Sequence, residues 1–322
     1  IFIMEATEKL MPSYLRFVKG VIDSSDLPLN VSREILQDSK AVESIKSGTV
    51  KKLLSSMQDL AKKKPEKYQK FWNEFGRALK EGPAEDFTNK EKIAGLLRFS
   101  STNSKSDEQD VSLTDYIERM KAEQEVIYYI TADSLMAAKN SPHLEIFKKK
   151  DIEVILLGDR VDEWMIASLP EFSGKKLQSI AKGDLDLGKL EDKKEKDKKK
   201  KIEDDAKNLV EKIKESLGDK VAEVKVTHRL TDSPACLVVG ENDISGNLER
   251  ILKAAGQNTP DVKPILEINP EHDLIKKLDS YQGKKEFNEY SSVIFDQALL
   301  SEGGQLEDPV SFIKKINHLL VK

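Results

Sequence analysis

Between Val31 and Lys64 the apolar positions Ile35, Val42, Ile45, Val50, Leu53, Leu54, Met57 and Leu60 recur near the helical period, which predicts a largely helical stretch. Pro65 closes that stretch and can open the next helix at its first turn. Tyr68, Phe71, Trp72, Phe75 and Leu79 then share one helical face, and Trp72 reads as core. Gly82-Pro83 is expected to end this helix. The polar segment Ser100–Asp110 reads as a mobile loop, and Ser112 followed by Asp115 predicts an N-cap for a helix over Tyr116–Gln124.

The period then shortens. Val126–Thr131 and Glu153–Leu157 are short β-rich runs, with helical pieces Ser134–Lys139 and Pro142–Lys150 between them. Asp162–Leu169 is helical again, and Lys176–Ile180 is a candidate third strand. Strand, helix and strand in this order predict parallel pairing with helices on the sheet faces. Farther on, Ile202–Leu217 is a charged amphipathic helix ended by Gly218. Val221–Leu230 alternates as a strand, and Asp232-Ser233-Pro234 makes a tight connection to a second strand at Ala235–Val239. Helices are predicted over Ile244–Ala255, Pro270–Leu278, Phe287–Leu300 and Pro309–Leu320. The last two are joined by a turn short enough for an antiparallel pair.

Charge divides the chain. Glu191–Lys201 is an uninterrupted run of eleven charged residues, which reads as a linker or an exposed helix start. With Gly183 and Gly188 before it, this run places a boundary: residues 1–185, a charged linker at 186–203, and a second domain at 204–322. The expected fold is mixed α/β and α+β: a helical segment, a small α/β sheet subdomain, then an α+β domain ending in a helix pair.

Composition narrows the chemistry. The 322 residues carry 53 Lys and Arg against 57 Asp and Glu, a net charge of −4. That balance and the 6% of aromatic residues argue against a dedicated nucleic-acid binder. No apolar run approaches the length of a bilayer span, so no membrane partner is expected. One cysteine excludes a disulfide scaffold or a cysteine-based zinc site. Cys236 sits in an apolar strand and reads as a buried, inert thiol. His143, His228, His272 and His318 lack metal-site spacing, so no metal site is expected. Neither a GxGxxG turn after a strand nor a GK[ST] phosphate loop is present. The opening Ile1-Phe2-Ile3-Met4 reads as a strand cut in the middle, and hence as part of a longer protein.

One segment points to phosphate chemistry. Pro28 sets an extended approach, Asn30 is a good N-cap, and Arg33 then falls in a first helical turn with Gln37 one turn later. An arginine at a helix N-terminus can grip phosphate bidentately. On physical grounds alone the plainer reading of Arg33 is an ion pair with Asp23 or Asp26.

Tyr14–Glu34 (YLRFVKGVIDSSDLPLNVSRE) closely resembles the heat-shock protein 90 chaperones, of the bacterial HtpG type. Glu66–Phe75 (EKYQKFWNEF), Leu79–Phe87 (LKEGPAEDF), Ile127–Asp133 (IYYITAD), Thr227–Pro234 (THRLTDSP) and Leu266–His272 (LEINPEH) agree in order, so the resemblance covers essentially the whole chain. It implies the later part of the family's middle domain followed by its C-terminal dimerisation domain. ATP with Mg would then be bound by a preceding domain, and this fragment by itself would bind no cofactor and be inactive as an ATPase. Arg33 would reach the ATP γ-phosphate, with Gln37 and Asn30 near the same catalytic loop.

The resemblance further implies client contacts. Trp164, with Glu163 and Met165, matches a client-contacting patch. Ile244, Leu248, Ile251 and Leu252 form an apolar stripe, core-like by pattern and client-facing by resemblance. Phe287, Tyr290, Ile294, Ala298, Phe312, Ile316, Leu319 and Leu320 match the helices of a homodimer interface. The implied partners are unfolded or partly folded clients, a second copy of the chain, and other chaperones. The chain closes at Leu320-Val321-Lys322 without the acidic MEEVD tail of eukaryotic cytosolic relatives, which favours a bacterial cytoplasmic setting, with an organellar one as the alternative. Two other classes stay open on the residues themselves: an α/β domain binding a small molecule at the strand ends within Val126–Ile180, and a charged adaptor.

Overall fold

The computed structural model describes residues 10–23, 40–190, 193–260 and 262–321. They fold as mixed helix and sheet in two compact units, each assembled from separated stretches. The first holds the described residues up to Ser100, Ser106–Arg119 and Val161–Leu177. The second holds Ser101–Lys105, Met120–Arg160 and the described residues from Gln178 on.

The first unit is mainly helical. α1 (Lys40–Lys63) packs on α2 (Pro65–Leu79), which starts with Pro65 in its first turn as the pattern predicts. Tyr68, Trp72 and Leu79 are buried on one face of α2, and Trp72 is in the core as expected. α2 ends at Leu79, and Gly82-Pro83 then opens a one-turn helix, α3 (Gly82–Glu85). There is a steric reason for glycine at its start, because a Cβ on Gly82 would stand 2.9 Å from Ile93 Cγ2 and 3.1 Å from the Tyr14 ring. α4 (Lys90–Ala94) follows.

α5 (Leu113–Arg119) begins on a reciprocal capping box. The Ser112 N–H donates to Asp115 Oδ2 and the Asp115 N–H donates to Ser112 Oγ, both at 3.0 Å. The helix ends at Arg119, short of the predicted Gln124. Ser100–Asp110, read as a loop, contains a two-residue strand β1 (Ser100–Ser101) and is tied by the Ser100 hydroxyl to the Glu108 carbonyl.

In the second unit β2 (Val126–Thr131) and β3 (Ile155–Leu157) pair in parallel, Tyr129 opposite Ile155. Between them lie α6 (Leu135–Lys139), capped by the Ser134 hydroxyl, a 3-10 turn at Pro142–Leu144, and α7 (Glu145–Lys149). Tyr128, Ile130, Phe147, Ile152 and Leu156 form the core of this layer. α8 (Asp162–Ser168) belongs to the first unit. The strand expected at Lys176–Ile180 is β5 (Lys175–Ser179), and it is preceded by β4 (Glu171–Phe172), which the sequence pattern did not predict. The two form a hairpin whose turn residues, Ser173 and Gly174, both have positive φ (49° and 74°), the geometry of a two-residue hairpin loop.

The charged run takes the second of its two expected forms. From Lys193 it is the start of α9 (Lys193–Leu217), which ends at Gly218 with φ 54°. α9 packs on β6 (Glu223–Val226), shorter than the Val221–Leu230 stretch whose alternation predicts a strand. β7 (Ala235–Val238) is the other expected strand. The two are not neighbours: β8 (Ile265–Ile268), unpredicted, lies between them, parallel to β6 and antiparallel to β7. Its sequence, Ile-Leu-Glu-Ile, is too short to show a period.

α10 (Gly246–Ala254), α11 (Asp273–Asp279), α12 (Lys285–Ser301) and α13 (Pro309–Leu320) complete the unit. α12 packs on the sheet and on α9, α11 and α13. The core that it closes includes Ile213, Leu266, Ile268, Ile275, Leu278 and Ile294. Among the described residues no helix is long and apolar enough to cross a membrane.

Candidate functional site

The first candidate surface is built on α8. Asp162, Glu163 and Met165 are buried, and Trp164, on the outward side of the same turn, is 46% exposed. The anchor beneath it is an ion pair: Lys80 Nζ lies 2.8 Å from Asp162 Oδ1, with both side chains buried. The same ammonium stands over the Trp72 and Phe99 rings, at 5.9 and 5.4 Å from their centroids. Trp164 borders a cavity of about 370 Å³ lined by Lys80, Glu81, Ala84, Val161, Trp164 and Met165.

The floor of this cavity is held from below. Glu81 takes a two-pronged grip from Arg16, at 2.6 and 2.8 Å. Glu85 accepts the N–H groups of Ser13 and Tyr14, and the Tyr14 hydroxyl donates to Asp86 at 2.9 Å. Burial pushes the Tyr14 phenol well up, and the hydrogen bond to Asp86 adds to the effect. These bonds fix α3, on which α8 packs, so the exposed indole sits on a rigid base. The family resemblance groups Trp164, Glu163 and Met165 as one contact patch. Of the three, Trp164 is on the surface, and Glu163 and Met165 are buried behind it.

The second surface is α10. The Ser245 hydroxyl caps it by accepting the Leu248 N–H at 3.0 Å. The helix begins at Gly246, so Ile244 precedes it rather than belonging to it. Ile244, Leu248, Ile251 and Leu252 are alike in exposure: each is partly buried, and none belongs to the fully buried core. The stripe is thus neither sealed core nor open surface. Arg250 on this helix meets Asp133 at 3.1 Å.

The third is the α12–α13 hairpin. Phe287, Tyr290, Ile294, Ala298 and Leu319 are buried in the chain's own core, and Phe312 and Ile316 pack against that core. Leu320 is 79% exposed. Val310, Ile313 and Val321, which the resemblance does not name, are exposed with Leu320. The signal was available: at about 100° per residue, 310, 313, 320 and 321 fall on one side of a helix and 312, 316 and 319 on another. Two apolar faces on one helix mean that one covers the chain's own core and the other is left uncovered.

Arg33, Gln37 and Asn30 lie outside the described residues. Of the histidines, His143 is buried, with Nε2 2.9 Å from Glu302 Oε1. His272 Nδ1 caps α11 by accepting the Leu274 N–H. His228 and His318 lie near Glu203 and Glu289. Cys236 is fully buried, and burial, reinforced by the Glu267 carboxylate, raises its thiol well above the ordinary range. The expectation that this residue is buried is met.

A family profile described as Hsp90 protein matches residues 1–322. The chain belongs to the Hsp90 family. It is 62% identical over its full length to the chaperone protein HtpG of Chromobacterium violaceum, 61% to that of Nitrosospira multiformis and 59% to that of Nitrosococcus oceani. The chain spans about half the length of these curated relatives. The family resemblance carried by the ordered segments of the sequence is thereby shown.

Proposed function

We propose that this chain is the client-binding and dimerising part of an ATP-dependent chaperone acting in the bacterial cytoplasm during stress. Unfolded or partly folded proteins bind at Trp164 and along Ile244, Leu248, Ile251 and Leu252. The observation that carries this reading is the half-exposed indole of Trp164 beside an apolar cavity and over a buried ion pair. A large aromatic held rigidly at the surface offers contact area at small entropic cost.

Two copies pair through the α12–α13 hairpin. Its uncovered face, Val310, Ile313, Leu320 and Val321, is the part that meets a partner, and its other face supports it from within. ATP with Mg belongs to the whole protein. There Arg33 would stabilise charge on the transferred phosphoryl, with Gln37 and Asn30 beside it. The relatives' name, chaperone protein HtpG, supports the chaperone reading, and other chaperones are expected partners.

The test is suppression of aggregation of a chemically unfolded client by the 322-residue chain. Trp164→Ala and Leu248→Asp should each reduce it. Full suppression by both variants would remove the client assignment.

A further inference from the structure

Two cavities of the second unit run into one another where α9 passes β6 and α7. They share Ile146, Lys199, Thr227 and His228. The larger, about 630 Å³, has a mixed wall that carries Glu203, Glu211 and Glu223 together with Lys207 and Lys225. The smaller, about 160 Å³, is different in character. Lys149, Lys150, Lys198 and Lys199 surround it against one carboxylate, Glu271. Its apolar floor comes from Ile146, Ile202, Leu230 and Pro270.

The walls are held in place. The Ile146 N–H donates to the Arg229 carbonyl at 3.1 Å, and Glu145 accepts from the N–H groups of Thr231, Asp232 and Ser233. The carboxylates nearest the basic end are engaged within the chain. Glu145 is bound to those amides, Glu203 lies 3.2 Å from His228, and Glu271 lies 3.2 Å from Lys198. The lining of that end carries four lysines against one carboxylate, so the field there is positive even though the whole chain is slightly acidic.

We propose that this groove binds an extended acidic peptide segment of another protein. Carboxylates of the segment meet the lysine cluster at Lys149 and Lys199, beside the Lys198–Glu271 pair, an aliphatic side chain rests on the Ile146–Leu230 floor, and neutral or basic residues continue over Glu203, Glu211 and Glu223. The acidic wall of the larger cavity disfavours a uniformly negative ligand. Among the described residues no Phe, Tyr or Trp lines either cavity, so the ring platforms on which single-stranded nucleic acid stacks are missing. The groove shares no lining residue with the Trp164 cavity or with α10 and does not depend on the client reading.

The test uses the 322-residue chain and a fluorescein-labelled peptide of alternating glutamate and glycine around a central leucine, followed by anisotropy. The peptide should bind, and added salt should weaken it. Reversing Lys149 and Lys199 together to glutamate should lower affinity on the order of tenfold. If circular dichroism shows that this variant has lost its fold, the paired Lys149→Gln and Lys199→Gln changes replace it, with a smaller loss expected. Phe87→Ala, at an exposed position that lines neither cavity, should leave the affinity unchanged. Equal binding of a lysine-substituted peptide, unchanged affinity in a folded paired variant, or displacement by oligouridylate of equal charge would each overturn the proposal.

Discussion

Arg229 Nε lies 2.6 Å from Glu267 Oε2, and the two side chains are 1% and 5% exposed. The guanidinium also donates to the carbonyls of Ile180 and Gly183. It thus joins β8 to the chain that follows β5. Arg229→Ala would leave a buried carboxylate and two carbonyls without their donor, at a cost of about 3–5 kcal/mol. Replacing the pair together, Arg229→Met with Glu267→Leu, should cost less than the single change. Urea unfolding of the three proteins checks this, and a pair variant less stable than Arg229→Ala would contradict it.

Glu145 makes stability depend on acid pH. Burial alone would raise its carboxyl, but the Asp232 amide, the Ser233 hydroxyl and the Thr231 and Ser233 amides outweigh that and hold it below its usual 4.5. A carboxyl lowered by folding contributes fully above the ordinary value, and that contribution is lost as pH falls through the lowered one. Glu145→Gln should therefore destabilise the chain by about 1 kcal/mol at neutral pH, after allowing for solvent screening. It should also flatten the acid limb of stability against pH. Denaturant midpoints across that limb are the measurement, and parallel wild-type and variant curves would refute the assignment.

The two tryptophans should separate stability from binding. Trp72 is buried in α2 and its indole N–H donates to Gln109 at 3.1 Å, so Trp72→Ala should cost about 3–5 kcal/mol. Trp164→Ala removes a half-exposed ring and should cost less than about 1 kcal/mol while still reducing client protection. Thermal unfolding read beside an aggregation assay distinguishes the two effects.

The hairpin should show a similar division. Ile294→Ala cuts into the chain's own core and should lower stability by about 2–5 kcal/mol. Ile313→Asp or Leu320→Asp alters exposed positions and should move monomer stability by no more than about 0.5 kcal/mol. Either exposed change should nevertheless weaken self-association in sedimentation. A dimer unchanged by both would exclude this face as the interface.

The long periodic elements were legible in the sequence. α2, α13 and the β2 strand follow from spacing, Pro65 and Asp308-Pro309 mark helix starts, and Ser112 with Asp115 signals a cap. These depend on interactions between near neighbours in the chain, which local sequence contains. The family, too, was legible, because several ordered segments carried the resemblance. Tertiary structure decided what local sequence does not contain. β8 is strand only because β6 and β7 flank it, and β4 only because β5 folds back on it. Glu163 and Met165 are hidden while Trp164 is open, because α3 covers one side of α8. On α13 both apolar faces were written in the sequence, but packing on α12 selected which one the chain covers itself.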